Sequence, residues 1–131
     1  MDPITLFTVI ALVAVPTVMF GGYSLLRLLP AGKLDDHQTA SFRAGHAHAG
    51  VLLILTLVVL DLSADGGLGQ IARWTLCLLL LAGVLAQSGG FFVHLAIGRR
   101  GSWSAGNTLT VGGAVLLAAA LILAAVGVAT G

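Results

Sequence analysis

The chain has 131 residues, 58% of them hydrophobic and only 8% charged, with a formal net charge of +1. Soluble domains carry about a quarter charged residues, so a chain this short and this apolar needs lipid as its solvent. Its near-zero charge argues against a nucleic-acid partner, which would require a basic face.

Crossing the hydrocarbon core as a helix takes about 20 predominantly apolar residues, and four segments reach that length. The first runs from about Ile4 to Leu29 and stops at Pro30–Ala31–Gly32, where ring and glycine together end helices. Pro16 inside it predicts a kink, tolerated where neighbours satisfy the freed carbonyl. The only early charge is Asp2, not the basic opening of a secretory signal, and the apolar run is longer than a signal's core. This segment is therefore expected to persist as a helix.

The second helix is expected to start at Asp35 or Asp36, either of which can cap it, and to cross from about Ala44 to Leu62. A turn follows at Ser63–Ala64–Asp65–Gly66–Gly67. The third runs from Leu68 or Ile71 to Ile97, ahead of Gly98–Arg99–Arg100–Gly101. The fourth runs from about Ala105 to Val128. Short connections make sequential helices antiparallel. The expected fold is all-α: an integral membrane four-helix up-down-up-down bundle, one transmembrane domain over residues 1–131.

The 18 glycines fit close backbone approach between membrane helices, and in the fourth helix Gly113, Ala120, Ala124 and Gly127 share one face. Cys77, the only cysteine, excludes an intramolecular disulfide and reads as a small buried apolar group. There is also an internal echo. Gly21–Gly22–Tyr23 recurs as Gly89–Gly90–Phe91, and Phe42–Arg43–Ala44–Gly45–His46 as Trp103–Ser104–Ala105–Gly106–Asn107. Order and placement both match, as two similar helical hairpins would give, with any site at their interface.

Basic residues beside the spans set orientation. The first and third connections carry Arg27, Lys33, Arg43, Arg99 and Arg100, against Arg73 alone at the second. Loops one and three are accordingly expected in the cytoplasm and both termini outside. Tyr23 and Trp103 then fall near the inner interface and Trp74 near the outer one, where amphipathic rings settle. The Ala-, Gly- and Arg-rich composition points to a bacterial cell membrane.

All four histidines fall at the end assigned to the cytoplasm. His37 is read as solvated in the connection. His46 and His48 lie about one turn into the second helix, and His94 about one turn before the end of the third. On the third helix Gly83, Gln87, Gly90 and His94 follow the i, i+4, i+7, i+11 spacing of one stripe. Buried polar groups in a membrane cost several kcal/mol, roughly, if unpaired. Gln87 and His94 should therefore face the bundle. Pro16, Phe20, Tyr23 and Arg27 form a comparable stripe on the first helix. A polar cluster is expected from Tyr23, Arg27, His46 or His48, Gln87, His94 and Asn107.

Two readings of that cluster stand. It is either a hydrogen-bond network that fixes helix docking, or a site for a haem, metal ion, quinone or proton. On a helix, positions two apart diverge by about 200°, so His46 and His48 cannot chelate one ion together. Neutral imidazoles on facing helices can ligate a haem iron, and His94 with His46 or His48 among small residues is the candidate pair. The His46–Ala47–His48–Ala49–Gly50 run resembles histidine-bearing helices of membrane redox proteins over those five residues only, and implies no ligand assignment.

Glutamate is absent, and the five aspartates lie near helix ends or connections. A proton-coupled exporter, which needs a carboxylate at mid-membrane, is disfavoured. Nucleophile elbows, zinc-protease motifs and phosphate loops are missing, which argues against a hydrolase. The sequence thus favours a small non-enzymatic structural, accessory or partner-docking membrane protein. Its partner would be another membrane protein or a second copy of itself. The alternatives are a haem- or quinone-linked redox protein, and an oligomeric pore or carrier.

Overall fold

A computed structural model describes residues 1–131 as four helices, α1 (Pro3–Leu28), α2 (Asp36–Ala64), α3 (Gln70–Ile97) and α4 (Ala105–Ala129). Each is long and apolar enough to cross a membrane. The protein is thus a small multi-pass membrane protein built as a four-helix bundle. α1 runs unbroken through Pro16, and Gly32, at φ 60°, follows its end. Asp35 caps α2: its carboxylate accepts from the Gln38 amide at 2.7 Å, and the Gln38 side chain accepts from the Asp35 amide at 3.1 Å. The 29 residues of α2 extend about 43 Å at 1.5 Å per residue, against a hydrocarbon core of about 30 Å. Its polar opening, Asp36–Arg43, accounts for much of the surplus length.

α2 and α3 form the central pair. α1 packs on α2 and lightly on α3, α4 packs on α3 and lightly on α2, and α1 and α4 do not touch. Leu60, Leu76, Leu80 and Cys77 are fully buried at the centre, joined by Phe7, Val59, Leu117 and Ala120 in one apolar cluster. The outer faces are apolar as well, with Val13, Met19, Ile54, Val115 and Ile122 exposed. Such helices bury little among themselves and leave the rest to lipid.

The α3–α4 contact is the most extensive, and glycine makes it so. Gly83 receives Leu117, Gly90 lies against Gly106 and Thr110, and Gly113 lies against the Gln87 main chain. The stripe Gly83, Gln87, Gly90 and His94 is therefore the face α3 turns to α4. Gly113, Ala120, Ala124 and Gly127 are all buried on the other side of the seam or beside it.

At the opposite end Arg73 ties the chain together, a role that its reading as a flanking charge did not anticipate. Its guanidinium donates to Leu68 O at 3.0 Å, Ala64 O at 3.0 Å and Gly66 O at 3.3 Å, and lies 3.5 Å from the Asp2 carboxylate. The carbonyls at the end of α2 are the negative pole of that helix, so one cation joins α1, α2 and α3. Arg73→Ala is expected to cost about 2 kcal/mol, since hydrogen bonds from charged donors contribute about 1.5–3 kcal/mol. Arg73→Lys should recover only part of it, because an ammonium lacks the planar fork. Unfolding of the detergent-solubilised variants checks both.

Candidate functional site

The opening of α2, the end of α3 and the opening of α4 meet at one end of the bundle. The sequence reading leaves His37 solvated in the connection, and the structure corrects this. With Asp35 as cap, His37 sits in the first turn of α2, half-buried. Its ring lies edge-on to that of His94, with centroids 4.9 Å apart and planes at 81°. Its Nε2 is buried without a hydrogen-bond partner.

His94 is held from α4. Its Nδ1 lies 2.7 Å from Ser104 Oγ, and Ser104 is the cap of α4. The Ser104 amide points at Asn107 Oδ1 at 2.8 Å, which fixes that atom as an acceptor. Ser104 Oγ lies 3.1 Å from the same oxygen, which is one acceptor in reach of its single proton. The His94 ring nitrogen is the other: a proton given to Asn107 requires a hydrogen on Nδ1, and a proton given to Nδ1 requires that nitrogen to be bare. The first arrangement leaves a free lone pair on His94 Nε2. The outer partner of an imidazole selects the tautomer in this way.

Beside these rings a half-open cavity of about 400 Å³ is walled by His37, Ser41, Phe91, His94, Trp103 and Thr110, with Asn107 at its edge. Trp103 is exposed and its indole donates to Thr108 Oγ1 at 3.0 Å. Thr110 Oγ1 reaches back to the Gln87 carbonyl at 3.4 Å. Gln87 thus meets α4 through its main chain, against Gly113.

The other anticipated residues go elsewhere. The His46 ring packs on α1, where a Cβ on Gly22 would lie 2.8 Å from its Nε2, and it lines a separate small cavity with Thr17, Val18 and Phe42. His48 donates Nδ1–H to the Ala44 carbonyl at 2.8 Å, and its ring lies 4.7 Å from that of Phe91. Facing His46 and His48 in opposite directions is what helical geometry requires. Three imidazoles thus have three separate surroundings, and haem ligation by His94 with His46 or His48 finds no support in this geometry. No three His, Cys, Asp or Glu side chains converge.

Tyr23 and Arg27 are not with the cluster. Both are exposed on α1, with the Arg27 guanidinium 5.9 Å from the Tyr23 ring centroid. The reason is helical phase. α1 buries Ile4, Phe7, Ala11 and Leu25, and the stripe from Pro16 to Arg27 is rotated about 165° from that face at 100° per residue. With α4 out of reach of α1, nothing covers it. It faces lipid and headgroups, where an arginine over a tyrosine ring is at ease.

No family profile, curated protein or solved structure matches this chain. What the site can do rests on its own geometry: two adjoining imidazoles, one of them held by Ser104, beside a small polar-walled cavity at a helix-end level.

Sequence reading missed His37 and Ser104. Both had a signal. His37, Ser41, Ala44 and His48 are spaced i, i+4, i+7, i+11, a single stripe once α2 starts at Asp36. Ser104 with Asn107 has the spacing of a capping box.

Proposed function

We propose that the protein is a non-enzymatic accessory component of the membrane that docks a partner, another membrane protein or a second copy, at its histidine-bearing end. The observation that carries this reading is the cavity beside His37 and His94. It is a polar-walled opening at the meeting of α2, α3 and α4, bordered by the His94–Ser104–Asn107 chain. Polar lining near a membrane is costly unless something uses it. We place this end in the cytoplasm of a bacterial cell, because Arg27, Lys33, Arg43, Arg99 and Arg100 lie at loops one and three and only Arg73 at loop two.

The test is a photocrosslinking side chain at Val111, which lines the cavity and is exposed, compared with one at Val115 on the outer face. In native membranes the Val111 probe should give one discrete protein adduct, lost when Trp103 is replaced by alanine, and the Val115 probe only lipid adducts. Lipid adducts alone from both positions would defeat the docking role.

A further inference from the structure

We propose that His37 and His94 form a two-imidazole site for a borderline first-row divalent cation, of the Zn²⁺ or Cu²⁺ class, at the mouth of the cavity. This names a ligand chemistry for the same mouth, and rests on the docking role only in taking that cavity as the working site.

The first support is spacing. Metal–imidazole bonds of about 2.0–2.1 Å put each ring centroid about 3.2 Å from a bound ion, so rings 4.9 Å apart that both turn a nitrogen to the ion subtend about 100° there, close to tetrahedral. The second support is the tautomer. The site takes the arrangement in which Ser104 accepts from Nδ1–H, which bares Nε2 of His94 and makes Ser104 the outer partner that orients a ligating imidazole. The third is His37 Nε2, buried without a hydrogen-bond partner next to that ring. Burying an imidazole nitrogen unpaired is unfavourable, and a shared cation removes that cost.

Two nitrogens leave coordination positions open. These face the cavity, where water or an oxygen or nitrogen donor from a partner can complete the shell. The imidazole pair favours zinc, copper or nickel over magnesium or calcium, which take oxygen ligands. His37 lies in the polar opening of α2, at the half-open cavity, so the ion has a route to the site.

The experiment is titration of the chelator-stripped, detergent-solubilised full chain with Zn²⁺ by calorimetry, repeated with Co²⁺ by absorption for coordination geometry. The wild type should bind one equivalent, and His37→Ala and His94→Ala should each weaken it by about tenfold or more, with His46→Ala and His48→Ala unchanged. His37→Gln, which keeps a polar side chain in the first turn, should lose binding while melting like the wild type, separating ligand loss from unfolding. A wild type that takes up no ion, or one whose uptake survives His37→Ala, overturns the site. Either result leaves the Val111 crosslink intact as the test of docking, so the two fail separately.

Discussion

Gly113→Ala is expected to destabilise the solubilised bundle by about 2–3 kcal/mol, the range for overpacking a close contact, while Gly112→Ala leaves it unchanged or slightly more stable. The two glycines are adjacent, and only their faces differ. A Cβ on Gly113 would sit 2.7 Å from Cα and 2.8 Å from Cβ of Gln87, so α3 and α4 would have to separate; a Cβ on Gly112 meets nothing within 4 Å. Alanine at an open helical position gains about 0.8–1.0 kcal/mol of propensity over glycine in water, which sets the upper bound for Gly112. The facing helix repeats the contrast. Gly90→Ala would press on the Gly106 carbonyl at 2.5 Å and the Thr110 amide at 2.7 Å, whereas Gly89 faces open space. Equal effects from both members of either pair, measured by reversible unfolding in mixed micelles, would mean that the α3–α4 seam is misplaced.

Ser104→Ala should cost about 2–4 kcal/mol, more than an ordinary helix cap. Loss of a serine cap costs about 0.5–2 kcal/mol, and the half-buried His94 Nδ1–H loses its acceptor, a further penalty of about 1–3 kcal/mol. Ser104→Thr keeps both functions and should be nearly silent. The Nδ1 contact with Ser104 also orders the substitutions at His94. Asparagine places an amide N–H near the position of Nδ1 and can still donate to Ser104, whereas glutamine reaches out to the position of Nε2 and cannot. His94→Asn should therefore be the milder change by at least about 1 kcal/mol, the typical net value of one hydrogen bond. The reverse order would show that the Nδ1 contact with Ser104 does not hold the ring.

The helices were legible because their signals are local. Apolar length, the Pro30–Ala31–Gly32 stop, the Asp35 cap and the glycine breaks at Gly66–Gly67 and Gly98 to Gly101 each act over a few residues, and α1, α3 and α4 begin and end within a few residues of the expected bounds. The inward stripe of α3 was legible for the same reason. What pattern alone could not settle is which face of a helix finds a neighbour. Every face of a membrane helix is apolar, so the phase of α1 is fixed by α2 and by the absence of α4, and Tyr23 and Arg27 turn outward as a result.

Histidine placement failed in part at one residue. Although a start at Asp35 or Asp36 was expected, His37 was read as solvated in the connection instead of as a first-turn residue, and with it went the ring nearest His94. The echo between the two hairpins also has a local counterpart in space. Gly22 receives the His46 ring, while Gly90 receives the main chain at Gly106, beside Asn107. The larger side chain holds α1 and α2 further apart, and the smaller pair lets α3 and α4 close up, in line with the heavier packing between the latter.

The account depends on His94 giving its Nδ1 hydrogen to Ser104 while its ring adjoins His37, and nitrogen-15 NMR of histidine-labelled protein in micelles reads both at once. A protonated Nδ1 and a bare Nε2 on His94, with a cross-peak between the His94 and His37 rings, is the expected spectrum. A hydrogen on Nε2 instead, or a His94 ring that contacts His46 or His48 and not His37, would contradict it.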